Sequence, residues 1–209
     1  MSVASSDSTG HGEVSSPAAA LLREAHALTE RLLPPELQGL AAALPKAPPA
    51  RSLAARSLPV LAWCGGLEAA ASTDTRRLTA LLSAQAASLA WGQTYTAEDI
   101  SQAFQERYGW CELLGLRGHF ASAEIALGVL MLGPETVYPL HSHAAEEVYI
   151  VLSGQAAWRK GKAEEGLLPA ASVVHHPSWI PHAMRTASEP LLALYLWRGG
   201  ELTQKSRLT

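Results

Sequence analysis

The feature that most constrains this chain is the stretch 133–154, G-P-E-T-V-Y-P-L-H-S-H-A-A-E-E-V-Y-I-V-L-S-G. In it His141, His143 and Glu147 stand at H-x-H-x-x-x-E spacing, and Gly154 follows seven residues after the glutamate. Side chains on a strand alternate faces, so His141 and His143 point the same way. A turn at Ala144 and Ala145 is expected to bring the next strand back alongside, where Glu147, Tyr149 and Val151 share one face and Glu146 takes the other. Two imidazoles and a carboxylate converging from adjacent strands suit a divalent first-row metal ion. The segment Pro177-Ser-Trp-Ile-Pro-His182 offers His182 as a further ligand on a later strand. His175 and His176 are neighbours, so at most one can face inward, and the pair reads as solvent or loop packing. The stretch therefore predicts a metal site inside a small β-barrel.

The rest of the chain divides by pattern. Residues 1–16 are rich in Ser and Gly and read as a disordered tail; they lack the basic start and apolar run of a secretory signal. Ser16-Pro17 is a plausible helix start, and Leu21, Ala25, Leu28 and Leu32 recur at helical spacing. Pro34-Pro35 ends that helix, a short one follows over 36–44, and residues 53–63 are ambiguous. A longer helix is expected from Thr73 to about Trp91, on the stripe Leu78, Leu81, Leu82, Gln85 and Leu89. A further one is expected from Thr96, where T-A-E-D resembles a capping arrangement, to Tyr108-Gly109. Residues 17–110 thus form a helical region. Residues 111–209 form a barrel, with short strands over 123–132, 136–141, 146–152, 155–160, 171–176, 182–187 and 191–198. The predicted fold class is α+β.

Composition narrows the function. Sixteen Lys and Arg against nineteen Asp and Glu give a formal charge of −3, with no basic block to suit nucleic acid or an anionic membrane. No stretch approaches the roughly 18 unbroken apolar residues of a membrane span. Cys64 and Cys111 match no metal or redox spacing and read as small hydrophobes in a reducing compartment. A cytoplasmic protein is expected. A homodimer is the association that barrels with helical appendages often form.

These motifs resemble a family. Gly133, His141, His143, Glu147 and Gly154, followed by Pro177, Pro181 and His182, look like the two motifs of the cupin barrel. The first motif is stretched, with seven residues between Gly133 and His141, and Thr186 stands where the second usually ends in Asn. More narrowly, Y-P-L-H-S-H-A-A-E-E-V-Y (138–149) and P-S-W-I-P-H-A-M-R-T (177–186) resemble the cupin-type dimethylsulfoniopropionate (DMSP) lyases of the DddL and DddQ type. The resemblance implies a double-stranded jelly-roll barrel behind a helical region, and cleavage of DMSP to dimethyl sulfide and acrylate by β-elimination. It implies one divalent transition metal ion (Fe, Mn, Co, Ni or Zn) on His141, His143, Glu147 and His182. Tyr149 is implied as general base, and Tyr138 and Trp197 as substrate-pocket residues.

The chemistry is consistent with such a set. The proton next to a carboxylate is weakly acidic, and a cation on that carboxylate stabilises the developing charge. Tyr149 serves as base only if its pKa falls from near 10 towards the working pH. A sulfonium donates no hydrogen bonds and is attracted to aromatic faces, for which Trp197, Tyr195 and Trp179 are candidates. Tyr138 lies opposite to His141 under strict alternation, so only a kink at Pro139 can turn it inward. Fold alone leaves two alternatives open: another cupin enzyme, such as an iron dioxygenase, and a non-catalytic ligand-binding or sensor barrel.

Overall fold

The computed structural model describes residues 16–209; of the expected disordered tail, residues 1–15 lie outside that range. Helix α1 (Pro17–Leu32) starts as its sequence dictates: the Ser16 hydroxyl accepts from the Ala19 N–H at 3.3 Å, and Pro17 occupies the first turn. Its buried face is Leu21, Leu22, Ala25 and Leu28. After a 3-10 turn comes the short α2 (Gln38–Ala42). The ambiguous region around Pro59 folds as a 3-10 helix, Pro59–Ala70. Helix α3 (Arg76–Gln85) is shorter than its leucine stripe predicts and tightens into a 3-10 turn at Ala86–Ser88.

The helix expected from Thr96 begins later. Thr96 and Asp99 do bond each other, the Asp99 carboxylate accepting the Thr96 N–H at 2.6 Å, but this closes a turn. Ser101 is the real cap, its hydroxyl accepting from the Phe104 N–H at 3.1 Å, and α4 covers only Gln102–Glu106.

The strands are β1 (Trp91–Gly92), β2 (Tyr108–Gly115), β3 (Phe120–Ala121), β4 (Ile125–Leu132), β5 (Val137–Ser142), β6 (Glu146–Ser153), β7 (Gln155–Lys160), β8 (Ala163–Pro169), β9 (Val173–His176), β10 (His182–Thr186), β11 (Leu191–Arg198) and β12 (Arg207–Leu208). Five of these were not expected: the two-residue strands β1 and β3, and three more. Tyr108-Gly109, read as a helix stop, opens β2; β8 is a charged strand at the edge of its sheet; and β12 is a two-residue edge strand. One sheet has seven strands, ordered β1-β2-β4-β11-β6-β9 with β3 on β2; the other has five, ordered β12-β5-β10-β7-β8.

This topology corrects one expectation. Strands β5 and β6 do not lie side by side: β5 belongs to the five-stranded sheet and β6 to the seven-stranded one. The turn through Ala144 and Ala145 carries the chain from one sheet to the other. His141 and Glu147 therefore converge from facing sheets rather than from neighbouring strands.

The larger sheet is buried on both faces, which explains its nearly unbroken apolar runs. From β6, Val148, Ile150 and Leu152 pack with α1 and α3, whereas Tyr149 and Val151 pack with Tyr138, Trp158 and Met184 of the other sheet. Strand β11 divides likewise, Leu192, Leu194 and Leu196 against Leu191, Ala193 and Tyr195. The helical layer is tied down by polar contacts too: the Thr75 and Thr79 hydroxyls donate to the Leu152 carbonyl at 2.7 and 3.3 Å.

Gly154, which closes the constraining stretch, has φ +73°, and a Cβ there would sit 2.0 Å from the Pro190 carbonyl oxygen. Gly154→Ala is therefore expected to lower stability by about 3 kcal/mol or more, from backbone strain plus the clash. Chemical denaturation of the two proteins checks this; a loss below about 1 kcal/mol contradicts it.

Candidate metal centre

The four residues expected as metal ligands meet inside the barrel, each almost fully buried: His141 at 1%, His143 at 3%, Glu147 at 1% and His182 at 1% exposure. His141 is the last residue but one of β5, His182 begins β10, and the two are paired in register. His143 follows in the turn and Glu147 is the second residue of β6. One donor atom from each of His141, His143 and His182 lies within 4.8 Å of the others, and the same holds for Glu147, His176 and His182.

Ring orientation tests whether this set fits a metal. His141 Nδ1 lies 2.8 Å from the Pro139 carbonyl, His143 Nδ1 2.9 Å from that of Ala145, and His182 Nδ1 2.9 Å from that of Ile180. A carbonyl only accepts, so each Nδ1 carries its proton, which in the neutral ring leaves the lone pair on Nε2. His182 Nε2 then stands 3.1 Å from Glu147 Oε2, lone pair against lone pair, without a hydrogen-bond partner. His143 Nε2 stands 3.2 Å from the same oxygen. Such a convergence calls for a cation at its centre, and nitrogen and carboxylate donors with fixed tautomers suit a first-row divalent ion.

The electrostatics agree. Burial alone would raise the Glu147 carboxyl; the imidazoles of His143, His176 and His182 outweigh it and hold the group well below its usual range. Burial, reinforced by His182, pushes His141 down to about 3, so it stays neutral and able to ligate. His143 moves upward, burial being overcome by the Glu147 charge.

His176, read as loop packing, is instead fully buried beside the centre. It pairs in register with Glu147, its Nδ1 lies 3.5 Å from Glu147 Oε2, and its ring stacks on His182 at 3.9 Å and 15°. His175 faces the other way and contacts Glu146 at 3.0 Å. Parity allowed one inward histidine of the pair; what the sequence lacked was the register that set His176 opposite Glu147. On the other flank Trp197 also pairs with Glu147, its indole N–H donating to Glu147 Oε1 while its ring stacks on His143 at 4.2 Å. Trp197 thus orients a ligand carboxylate as well as facing the cavity.

Tyr138 reaches the histidine face through the kink at Pro139. Between the pairs His182–His141 and Met184–Tyr138, β5 has one residue more than β10, a bulge that reverses parity. Tyr138 stacks on His141 at 4.2 Å and 12° and packs with Tyr95, Phe104 and Tyr108. Tyr149 is 3% exposed and lines, with Glu147, a cavity of about 60 Å³ whose walls also include Trp110, Glu112, Tyr195 and Trp197. Burial and the Glu147 charge keep its phenol well above the usual value, so the protein's own groups hold it protonated. Trp179 lies elsewhere: it is 43% exposed, outside the cavity lining, with the Arg207 guanidinium 4.8 Å from its ring centre. The flat ring turned outward because β10 starts only at His182, leaving Trp179 in the preceding loop.

Two facing antiparallel sheets with a buried His/Glu centre between them define a cupin-type barrel, here carrying a helical layer on one sheet. The sequence matches the profile of the dimethylsulfoniopropionate lyase family over residues 11–193, and the chain belongs to that family. It is similar to a chain from the crystal structures of the DMSP lyases RdDddP and RnDddQII, at 33% identity and TM-score 0.85 over 92% of this chain and 97% of that one. The crystal structure of DMSP lyase DddQ from Ruegeria pomeroyi matches at 32% identity and TM-score 0.82, over 92% and 96%. In sequence, the curated R. pomeroyi DddQ is 38% identical over 109 residues, 52% of this chain, so the match spans about half of that relative (54%).

Two substitutions probe the centre. His182→Ala is expected to lower bound metal, and metal analysis indistinguishable from the parent would refute its role as ligand. Trp197→Phe keeps the stacking ring but removes the N–H on Glu147, so metal affinity should fall roughly ten- to hundredfold in a chelator competition.

Proposed function

We propose that this protein is a metal-dependent DMSP lyase that cleaves dimethylsulfoniopropionate to dimethyl sulfide and acrylate, with Tyr149 as general base. The observation that carries the reading is that Tyr149 and Glu147 line one cavity beside the histidine cluster, in a chain of the DMSP lyase family. When bound at His141, His143, Glu147 and His182, a divalent ion supplies positive charge for the substrate carboxylate and the nearby phenol. The chain's residues do the rest. Tyr149 takes the proton from the carbon next to the carboxylate; that electron pair forms the carbon–carbon double bond as the carbon–sulfur bond breaks. The sulfonium leaves as a neutral sulfide, so no acid is needed.

Burial excludes water from the base, and Trp197 holds Glu147 by its indole N–H. Tyr138, stacked on His141, fits a positioning role. Iron, manganese, cobalt, nickel and zinc all suit such donors. Two free cysteines among the described residues suit a cytoplasmic setting, and no helix among them is long and apolar enough to cross a membrane.

Headspace analysis of the purified, metal-loaded protein with DMSP tests the reading directly: dimethyl sulfide and acrylate should appear in equal amounts without oxygen uptake. Tyr149→Phe should abolish release while bound metal stays near the parent's; substantial remaining activity removes Tyr149 as base. Because the phenol must ionise, the rate should climb into the alkaline range, and a profile level from about pH 6 to about pH 9 counts against this step.

A further inference from the structure

The cavity holds a second buried carboxylate, Glu112, to which the reaction above gives no part. Glu112 is 7% exposed on β2, and its Oε1 accepts the backbone N–H of Arg117 at 2.6 Å. In register, Glu112 faces Gly128, Gly128 faces Tyr195, and Tyr195 faces Tyr149. These residues form one row crossing the sheet from β2 to β6. At its middle the Tyr195 hydroxyl takes the room a side chain at Gly128 would need: a Cβ there would lie 2.6 Å from it. The phenol ring is thus laid from the base towards Glu112. Trp110 and Trp197 wall the same space, and Gln204 turns a buried carbonyl oxygen without a hydrogen-bond partner at its edge.

This end of the cavity combines a carboxylate, an amide oxygen and aromatic faces, the groups that recognise a cation unable to donate hydrogen bonds. Two cations lie near: Arg51, whose Nη1 donates to the Gly115 and Leu116 carbonyls at 3.0 and 2.8 Å, and Arg117, exposed at the rim, where its Nη2 donates to the Thr203 carbonyl at 2.7 Å and its guanidinium lies 5.9 Å from the Trp110 ring centre.

We propose that Glu112 is the counter-charge for the cationic tail of the substrate, selecting an acid with a permanent positive tail over a neutral acid of the same shape. This deepens the lyase reading and rests on it: the carboxylate goes to the His/Glu end and the sulfonium to the Glu112 end. Elimination converts the sulfonium into a neutral sulfide, so the attraction acts on bound substrate and fades as the carbon–sulfur bond breaks. Glu112 therefore acts on KM rather than kcat, and it does not hold back the sulfide product.

The test is Glu112→Gln, whose side-chain oxygen can still accept the Arg117 N–H while the charge is removed. Calorimetry on the metal-loaded protein compares trimethylammonio-propionate with its all-carbon counterpart, in which a tert-butyl group replaces the trimethylammonium. The parent should prefer the cationic acid about tenfold, the variant should bind the two alike, and KM for DMSP should rise about tenfold with kcat unchanged or higher. The proposal is overturned if the parent binds both acids equally or neither, or if the preference survives in the variant. It is also overturned if both acids bind the variant more tightly, which would mark Arg117 as an anion site. Should the Gln variant fail to fold, Glu112→Asp, which keeps the charge but withdraws it by a methylene, is expected to give an intermediate preference; an unchanged one overturns the proposal. Absence of dimethyl sulfide release by the parent removes the lyase reading, whereas the comparison of the two acids still decides the role of Glu112.

Discussion

A carboxylate excluded from water has to be paired, and the pairing of Glu147 organises the centre of this protein. Its two oxygens are shared out: Oε2 faces the imidazoles of His143, His176 and His182, and Oε1 takes the indole N–H of Trp197. Removing an ionised carboxylate from water costs several kcal/mol even after relaxation. That cost is offset only because partners arrive together from the turn after β5 and from β9, β10 and β11. The barrel must close correctly for the site to exist, and the site in turn penalises any register that leaves Glu147 unpaired.

The same strand that carries Glu147 also joins the two halves of the molecule. On one face β6 presents Glu147, Tyr149 and Val151 to the barrel interior; on the other, Val148, Ile150 and Leu152 to the helices. The helical layer is thereby one core with the back of the sheet. The sheet that bears the reactive groups is backed by packed side chains rather than by solvent, which restricts movement of Tyr149 and Glu147 relative to the histidines. One small cavity then joins two different ends: Glu147, backed by the histidine cluster, at one, and Glu112 with aromatic walls at the other.

Much of this was legible beforehand. The H-x-H-x-x-x-E spacing singled out His141, His143 and Glu147, and alternation of strand faces put Tyr149 on the same side as Glu147, because those inferences used only local periodicity; the later P-S-W-I-P-H segment offered His182. The kink at Pro139 was readable as the condition for Tyr138 to turn inward. Less legible was β2, whose both-faces-buried run lacks alternation, and α4, where a turn closed by Thr96 and Asp99 mimics a helix start.

What the sequence by itself determined was local: which residues share a face, where α1 begins, and that a His/Glu cluster would form. Only the tertiary structure decided which strands meet. It set β5 and β6 in opposite sheets, turned His176 towards Glu147 rather than outward, left Trp179 in solvent, and aligned Glu112, Gly128, Tyr195 and Tyr149 in one row. The reason is physical: side-chain direction along a strand follows from its own geometry, whereas strand partners and register are chosen by burial and hydrogen bonding among segments far apart in the chain.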